Sequence, residues 1–249
     1  MPAANTATLL PPTYSLTERC PPHSINIVSV DPDAIAIQTP DTQAGDAYLA
    51  DPKSKSAAAE RATLVILYVE TRGFTRMSEI LEPAVVLARI AEFFALVTAV
   101  IERHDGTVHS LLNDNVVASF AGAACAPHAI EAAQEIQREF TTLEEAWQRD
   151  YGLRTAVAMG MHCGDTVIGS IGDPLPQQIL IIGDGLSIAE RLLHRARAGE
   201  FVMSKAIMDA LAAAKFSLDT EELPVLNISR RDPIQVFGVM LDTRLDFTD

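Results

Sequence analysis

Two hydrophobic periods alternate along this chain. Residues 64–69 form an apolar run rich in β-branched side chains, which breaks into Glu70, Thr71, Arg72, Gly73, Phe74 and Thr75 before a helical rhythm starts at Met77. That succession predicts a buried strand, a tight loop and a helix. Over 82–104, Val85, Leu87, Ile90, Phe93, Phe94, Val97, Val100 and Ile101 recur at mostly three- and four-residue intervals, which predicts a long amphipathic helix. It is expected to stop at His104-Asp105-Gly106, with the glycine supplying a left-handed exit.

Beyond it, β-rich runs over 107–112 and 115–120 flank Asn113-Asp114 and read as a hairpin. Residues 127–151 are charged and helical in period, with Ala129, Ile130, Ala133, Ile136, Phe140 and Leu143 on one face, as in a helix that covers a sheet. A strand over 153–161, a turn at His162-Cys163-Gly164-Asp165 and a second β run over 166–171 come next. Strand 178–182, the turn Gly183-Asp184-Gly185 and a helix over 186–198 follow, the helix turning Ile188, Ala189, Leu192 and Leu193 inward. Segments 201–204, 206–213, 223–226 and 234–241 complete an α+β layer. Residues 1–60 differ: they are rich in Pro, Ala, Thr, Ser and Asp, with a small hairpin expected from 24–30 and 34–39 and a linker over 43–60. The folded domain is assigned to 61–249.

Charge narrows the function. The formal net charge of −14 argues against a general nucleic-acid or anionic-membrane surface. The three cysteines (Cys20, Cys125, Cys163) lack metal-ligand spacing, so neither a disulfide framework nor a zinc site is expected, and reducing cytoplasm is the default. No uninterrupted apolar run of about eighteen residues occurs, so no membrane span is expected, and the N-terminus does not read as a signal peptide.

Glu70 stands at the end of a central strand before a glycine turn, an arrangement that suits a metal ion with a phosphate; an ordinary strand-to-helix junction with a solvated glutamate is the other reading. Asp114, at the hairpin tip, joins Glu70 if the two strands are sheet neighbours, and otherwise serves turn geometry only. His162 and Cys163 invite a base–nucleophile pairing, but neighbours on a strand face opposite ways, which favours structural roles.

The runs VETRGFT, HDGTVHSLLNDNVVASFAG, GMHCGDTVIGSIGD and IIGDGLSIAERL, together with ISRRDPIQVFGV near the end, resemble the class III nucleotidyl cyclase catalytic domain in order and spacing over about 62–242. The resemblance implies a ferredoxin-like βαββαβ core, with helices packed on a mainly antiparallel sheet, that dimerises head to tail with two active sites at the interface. It places the first metal-binding acid at Glu70, a second metal contact at the Thr71 carbonyl, a triphosphate cradle at Gly73, Phe74 and Thr75, and the second metal-binding acid at Asp114, with Asn113 in place of glycine. It also places the transition-state arginine at Arg191, the ribose-orienting position at Ser187 instead of Asn, and the base-selecting positions at Ser110 and Leu180.

These departures shape the expected function. Mg²⁺ demands near-octahedral geometry at about 2.1 Å, so a glutamate one methylene longer than aspartate needs a backbone adjustment. Ser110 and Leu180 lack the groups with which Lys plus Asp or Thr reads adenine. Arg230 or Arg231 is a candidate for the lysine that the family often sets against the phosphates. The resemblance implies a cyclase-homology domain in signal transduction, weak or silent in catalysis and acting as a dimerising regulatory module. The alternative is an active cyclase that uses two Mg²⁺ or Mn²⁺ ions to convert a nucleoside triphosphate to a 3′,5′-cyclic nucleotide and pyrophosphate with a non-standard base preference. The expected partner is a second copy or another cyclase-like chain.

Overall fold

The computed structural model describes residues 60–171 and 178–240. The hairpin expected within 24–39 and almost all of the linker expected over 43–60 lie outside them.

The elements are β1 (Glu60–Arg72), α1 (Phe74–Ile80), α2 (Pro83–Arg103), β2 (Thr107–Leu112), β3 (Asn115–Phe120), α3 (Cys125–Tyr151) and β4 (Ala156–Ile171), followed by β5 (Gln178–Ile182), α4 (Asp184–Leu193), β6 (Glu200–Ser204), α5 (Lys205–Ala213), β7 (Glu221–Leu226) and β8 (Ile234–Met240). The strands form one eight-stranded sheet in the order β2-β3-β1-β4-β6-β8-β7, with β5 paired to β4. Only β4 and β6 run parallel among the described pairs. This is the α+β architecture expected.

β1 is longer than its apolar run. It pairs with β4 from Glu60 to Arg72, so the chain stays extended through the stretch expected to loop, and only Gly73 intervenes before α1. The same pairing corrects the turn expected at His162-Cys163-Gly164-Asp165: those residues are ladder partners of Ile66, Val65, Leu64 and Thr63 inside one continuous β4. The helix expected over 186–198 begins earlier, at Asp184, and ends earlier, at Leu193. At the end of α2 the left-handed residue is Asp105 (φ 57°) and not Gly106. Gly106 serves packing instead, because a Cβ there would lie 2.6 Å from Ile101 Cγ2 and 2.7 Å from the Phe120 ring.

Strand alternation divides β1 between two layers. Val65, Leu67 and Val69 face a core shared with α2, α3 and α5, where Phe93, Phe140 and Trp147 are fully buried. Phe140 meets Phe93 and Trp147 edge-on at centroid separations of 5.9 and 5.7 Å, the geometry that aromatic quadrupoles favour. By length and composition α2 is apolar enough to cross a membrane; here it packs Phe93, Val97, Val100 and Ile101 into that core. Leu64 and Ile66 face the other way, onto Ala189 of α4. Helix α4 packs tightly on the sheet at Gly160, where a Cβ would come within 2.2 Å of the Leu193 nitrogen and 2.3 Å of the Ala189 oxygen. Helices α1, α2, α3 and α5 thus cover one face, α1 through the buried Met77, while α4 lies on the other.

Candidate functional site

The α4 face of β1 carries Tyr68, Glu70 and Arg72, spaced by the two-residue strand period. β3 lies beside β1 with Glu70 opposite Asn115, and the Thr71 N–H donates to the Asp114 carbonyl at 3.2 Å. The two expected acids are therefore neighbours. Asn113 closes the hairpin in the left-handed region (φ 56°), a conformation that asparagine tolerates better than most non-glycine residues. Gly73 also requires its identity: φ is 95° and a Cβ would lie 2.7 Å from the Arg154 carbonyl.

Burial pushes the Glu70 carboxyl above the ordinary carboxylate value; Arg72 works against this, and the nearby Asp114 adds to it. Asp114 is raised as well, again by burial, with its own backbone N–H and Arg72 opposing. Arg72 Nη1 bonds Glu70 Oε1, while Nη2 donates to the carbonyls of Leu193 and Ala196, both at 3.0 Å. Asn115 donates to Asp114 Oδ1 at 3.3 Å, and its own buried Oδ1 has no hydrogen-bond partner among the described residues. Two carboxylates beside an unpaired amide oxygen are hard oxygen donors, which suit Mg²⁺ or Mn²⁺ by ligand type. Among the described residues no group of three or more His, Cys, Asp or Glu is placed to hold a metal. The rest of an ion's shell would come from backbone, water or nucleotide.

Next to this pair opens a cavity of about 410 Å³, lined among others by Tyr68, Ser110, Asn115, Val117, Glu190 and His194. Burial and the Glu190 charge hold the Tyr68 phenol above its ordinary value. Ser110, expected as a base-selecting residue, lines this cavity together with the Tyr68 phenol and the Glu190 carboxylate, which the sequence did not single out. Leu180 lies on β5 opposite Gly169. Thr71 is buried, and its hydroxyl oxygen has no hydrogen-bond partner among the described residues. Gly73, Phe74 and Thr75 form the start of α1.

Ser187 and Arg191 are exposed on α4 and do not line the cavity. Arg191 forms no ion pair with a described residue. Arg231 is tied to Asp184 at the start of α4, and Arg230 takes a left-handed backbone (φ 65°).

His162 and Cys163 face opposite layers. His162 Nδ1 meets Ser204 Oγ at 2.8 Å, and burial plus the Arg231 charge lower its pKa to about 4. Cys163 packs against the large core, and burial raises its thiol. Neither arrangement makes a base–nucleophile pair.

Arg72, Tyr68, Asn115, Glu190 and His194 were missed as site residues. The signal for the first two was present: residues 68, 70 and 72 share a face in any regular strand.

A family profile described as the adenylate and guanylate cyclase catalytic domain matches residues 57–239. Adenylate cyclase 1 of Rhizobium meliloti (strain 1021) is 31% identical over 140 residues, which is 54% of this chain but only 21% of that protein's own length. Among solved structures, the adenylyl cyclase CyaB from P. aeruginosa superposes with a TM-score of 0.67 at 22% identity, covering 76% of this chain and 98% of that one. The non-canonical dimeric guanylyl cyclase domain of the RhoGC fusion protein from Blastocladiella emersonii gives 0.63 at 15% identity, covering 74% and 98%. At these identities the structural likeness establishes the fold alone.

Proposed function

The chain belongs to the adenylate and guanylate cyclase catalytic domain family, and from that premise we propose that it serves signal transduction as a dimerising module whose own chemistry is weak or silent. One observation carries this reading: Glu70, the longer acid at the first metal position, has its carboxylate engaged by Arg72. Ser187, Ser110 and Leu180 add three departures at positions that orient ribose and select the base.

The residues retained still outline the reaction. Glu70, Asp114 and the Thr71 carbonyl would hold divalent ions, which when bound lower the pKa of the ribose hydroxyl and neutralise the leaving pyrophosphate. The Gly73-Phe74-Thr75 turn would take the triphosphate. Arg191 is exposed and has no ion-pair partner among the described residues, as expected of a group that works across an interface; the partner is a second copy or another cyclase-like chain. There it would meet charge developing on the phosphate, a role whose loss costs on the order of 10² to 10³ in rate. Ser187 is shorter than asparagine and holds the ribose less firmly.

A second reading, an active cyclase with a non-standard base preference, is favoured by the cavity beside the acid pair. Tyr68, Ser110, Asn115 and Glu190 give it a polar rim unlike a lysine-based adenine reader. Both readings are tested by incubating the protein with ATP, GTP, CTP and UTP, each with Mn²⁺, and analysing products by mass spectrometry. A 3′,5′-cyclic nucleotide that disappears in Asp114→Ala establishes an active enzyme and names its base. No product from a folded dimer supports the regulatory module.

A further inference from the structure

Arg72 spans two negative centres. One arm of its guanidinium bonds Glu70 Oε1, and the other donates to the carbonyls of Leu193 and Ala196 at 3.0 Å each. Helix α4 ends at Leu193, so the second arm satisfies carbonyls at the end where the helix dipole is negative. A planar guanidinium fork suits this divided attachment. Its charge also acts on Asp114. The acid pair thus already has a cation, supplied two residues downstream on the same strand face.

We propose that Arg72 is a resident counter-ion that a divalent cation must displace from Glu70, and that this exchange couples loading of the acid pair to the C-terminal end of α4. The proposal rests on the reading of Glu70 and Asp114 as a divalent-cation site. Geometry would let an ion and a guanidinium share one carboxylate, but the two cations then compete for the single charge of Glu70 and repel each other, so the ion is held more tightly once Arg72 withdraws. Glu70 is half-buried, so solvent screens that repulsion less than at an exposed site. Once released from Glu70, Arg72 loses the anchor that aims it at Leu193 and Ala196. Helix α4 carries Ser187 and Arg191, so the end of the helix that presents these residues responds to ion occupancy one strand away.

The test is Mn²⁺ binding to the full chain, followed by electron paramagnetic resonance of the free ion, in the unsubstituted protein, in Arg72→Met, and in each combined with Asp114→Ala. Arg72→Met should bind Mn²⁺ at least tenfold more tightly, and Asp114→Ala should remove that binding. Equal or weaker affinity in folded Arg72→Met, with Asp114 still required, overturns the role of Arg72 and leaves the cation site standing. Absence of Asp114-dependent binding in both backgrounds overturns the cation site itself, and the proposal with it. Should Arg72→Met fail to fold, hydrogen exchange in the unsubstituted protein decides: saturating Mn²⁺ should speed exchange of the His194, Arg195 and Ala196 amides, and unchanged or slower exchange overturns the coupling.

Discussion

The backbone N–H of Thr71 donates to the carbonyl oxygen of Asp114 across 3.2 Å. This bond fastens the β2–β3 hairpin tip to the end of β1 and brings Glu70 and Asp114 together whatever their side chains carry. Both carboxyls are then raised by burial, and Asp114 raises Glu70 further. A raised folded-state pKa contributes stability at low pH, and that contribution is lost as pH climbs through the raised value. In chelator-treated buffer the acid pair's own contribution to the melting temperature should therefore decline as pH rises above the ordinary values of 3.8 and 4.5, against the opposite slope of other groups. Asp114→Asn keeps the backbone bond and removes one charge, so its decline should be shallower. Thermal melts from pH 4 to 8 that run parallel for the two proteins would contradict this account of the acid pair.

His162 gives the opposite slope. Its pKa is lowered from 6.5 to about 4, so its neutral form is favoured in the fold and its contribution is present above pH 6.5 and lost as pH falls toward 4. A shift of this size corresponds to at most about 3.5 kcal/mol. The ring should remain neutral at pH 5.5 by NMR titration, and His162→Gln should flatten the acid limb of the stability curve. A ring that titrates near 6.5 would sink the prediction.

At Gly160 the sheet meets α4 without room for a side chain, and the atoms that a Cβ would strike are backbone atoms of Leu193 and Ala189. Backbone cannot rotate aside as a side chain can, so Gly160→Ala must lift the helix. Overpacking of this kind typically costs about 1–3 kcal/mol. Urea denaturation should show a loss at or above the upper end of that range. Because Leu193 also receives Arg72, the variant should loosen the hold on Glu70 and strengthen Mn²⁺ binding. Unchanged stability would mean that α4 does not sit where Gly160 implies.

Most elements were legible in the sequence because their signals are local. The hairpin falls at 107–112 and 115–120 as the β-rich runs and Asn113-Asp114 indicate, and the inward residues of α4 follow from helical spacing alone. Errors arose where a distant partner decides. Gly164 reads as a turn residue, but pairing with Leu64 holds it in a strand. Gly106 reads as a left-handed cap, yet Asp105 takes that conformation and the Phe120 ring explains the glycine. Arg72 was passed over for a related reason. Its place on the Glu70 face is local information, whereas its bonds to Leu193 and Ala196 reach more than a hundred positions along the chain.

The sharpest test of faded chemistry restores the family's residues at two positions, Glu70→Asp and Ser187→Asn together. The shorter acid withdraws from Arg72 and suits octahedral Mg²⁺ better, while asparagine returns a two-sided hydrogen-bonding group to the exposed face of α4. The two positions share one reacting nucleotide under the dimer reading, so their effects are expected to couple and the single changes should be measured beside the double. Cyclic nucleotide formation should rise at least tenfold over the unsubstituted protein with at least one of the four triphosphates, and Asp114→Ala should abolish the gain. If the double variant folds, dimerises and binds Mn²⁺ yet makes no more product, the loss lies in base selection. Ser110 and Leu180 would then be the residues to restore.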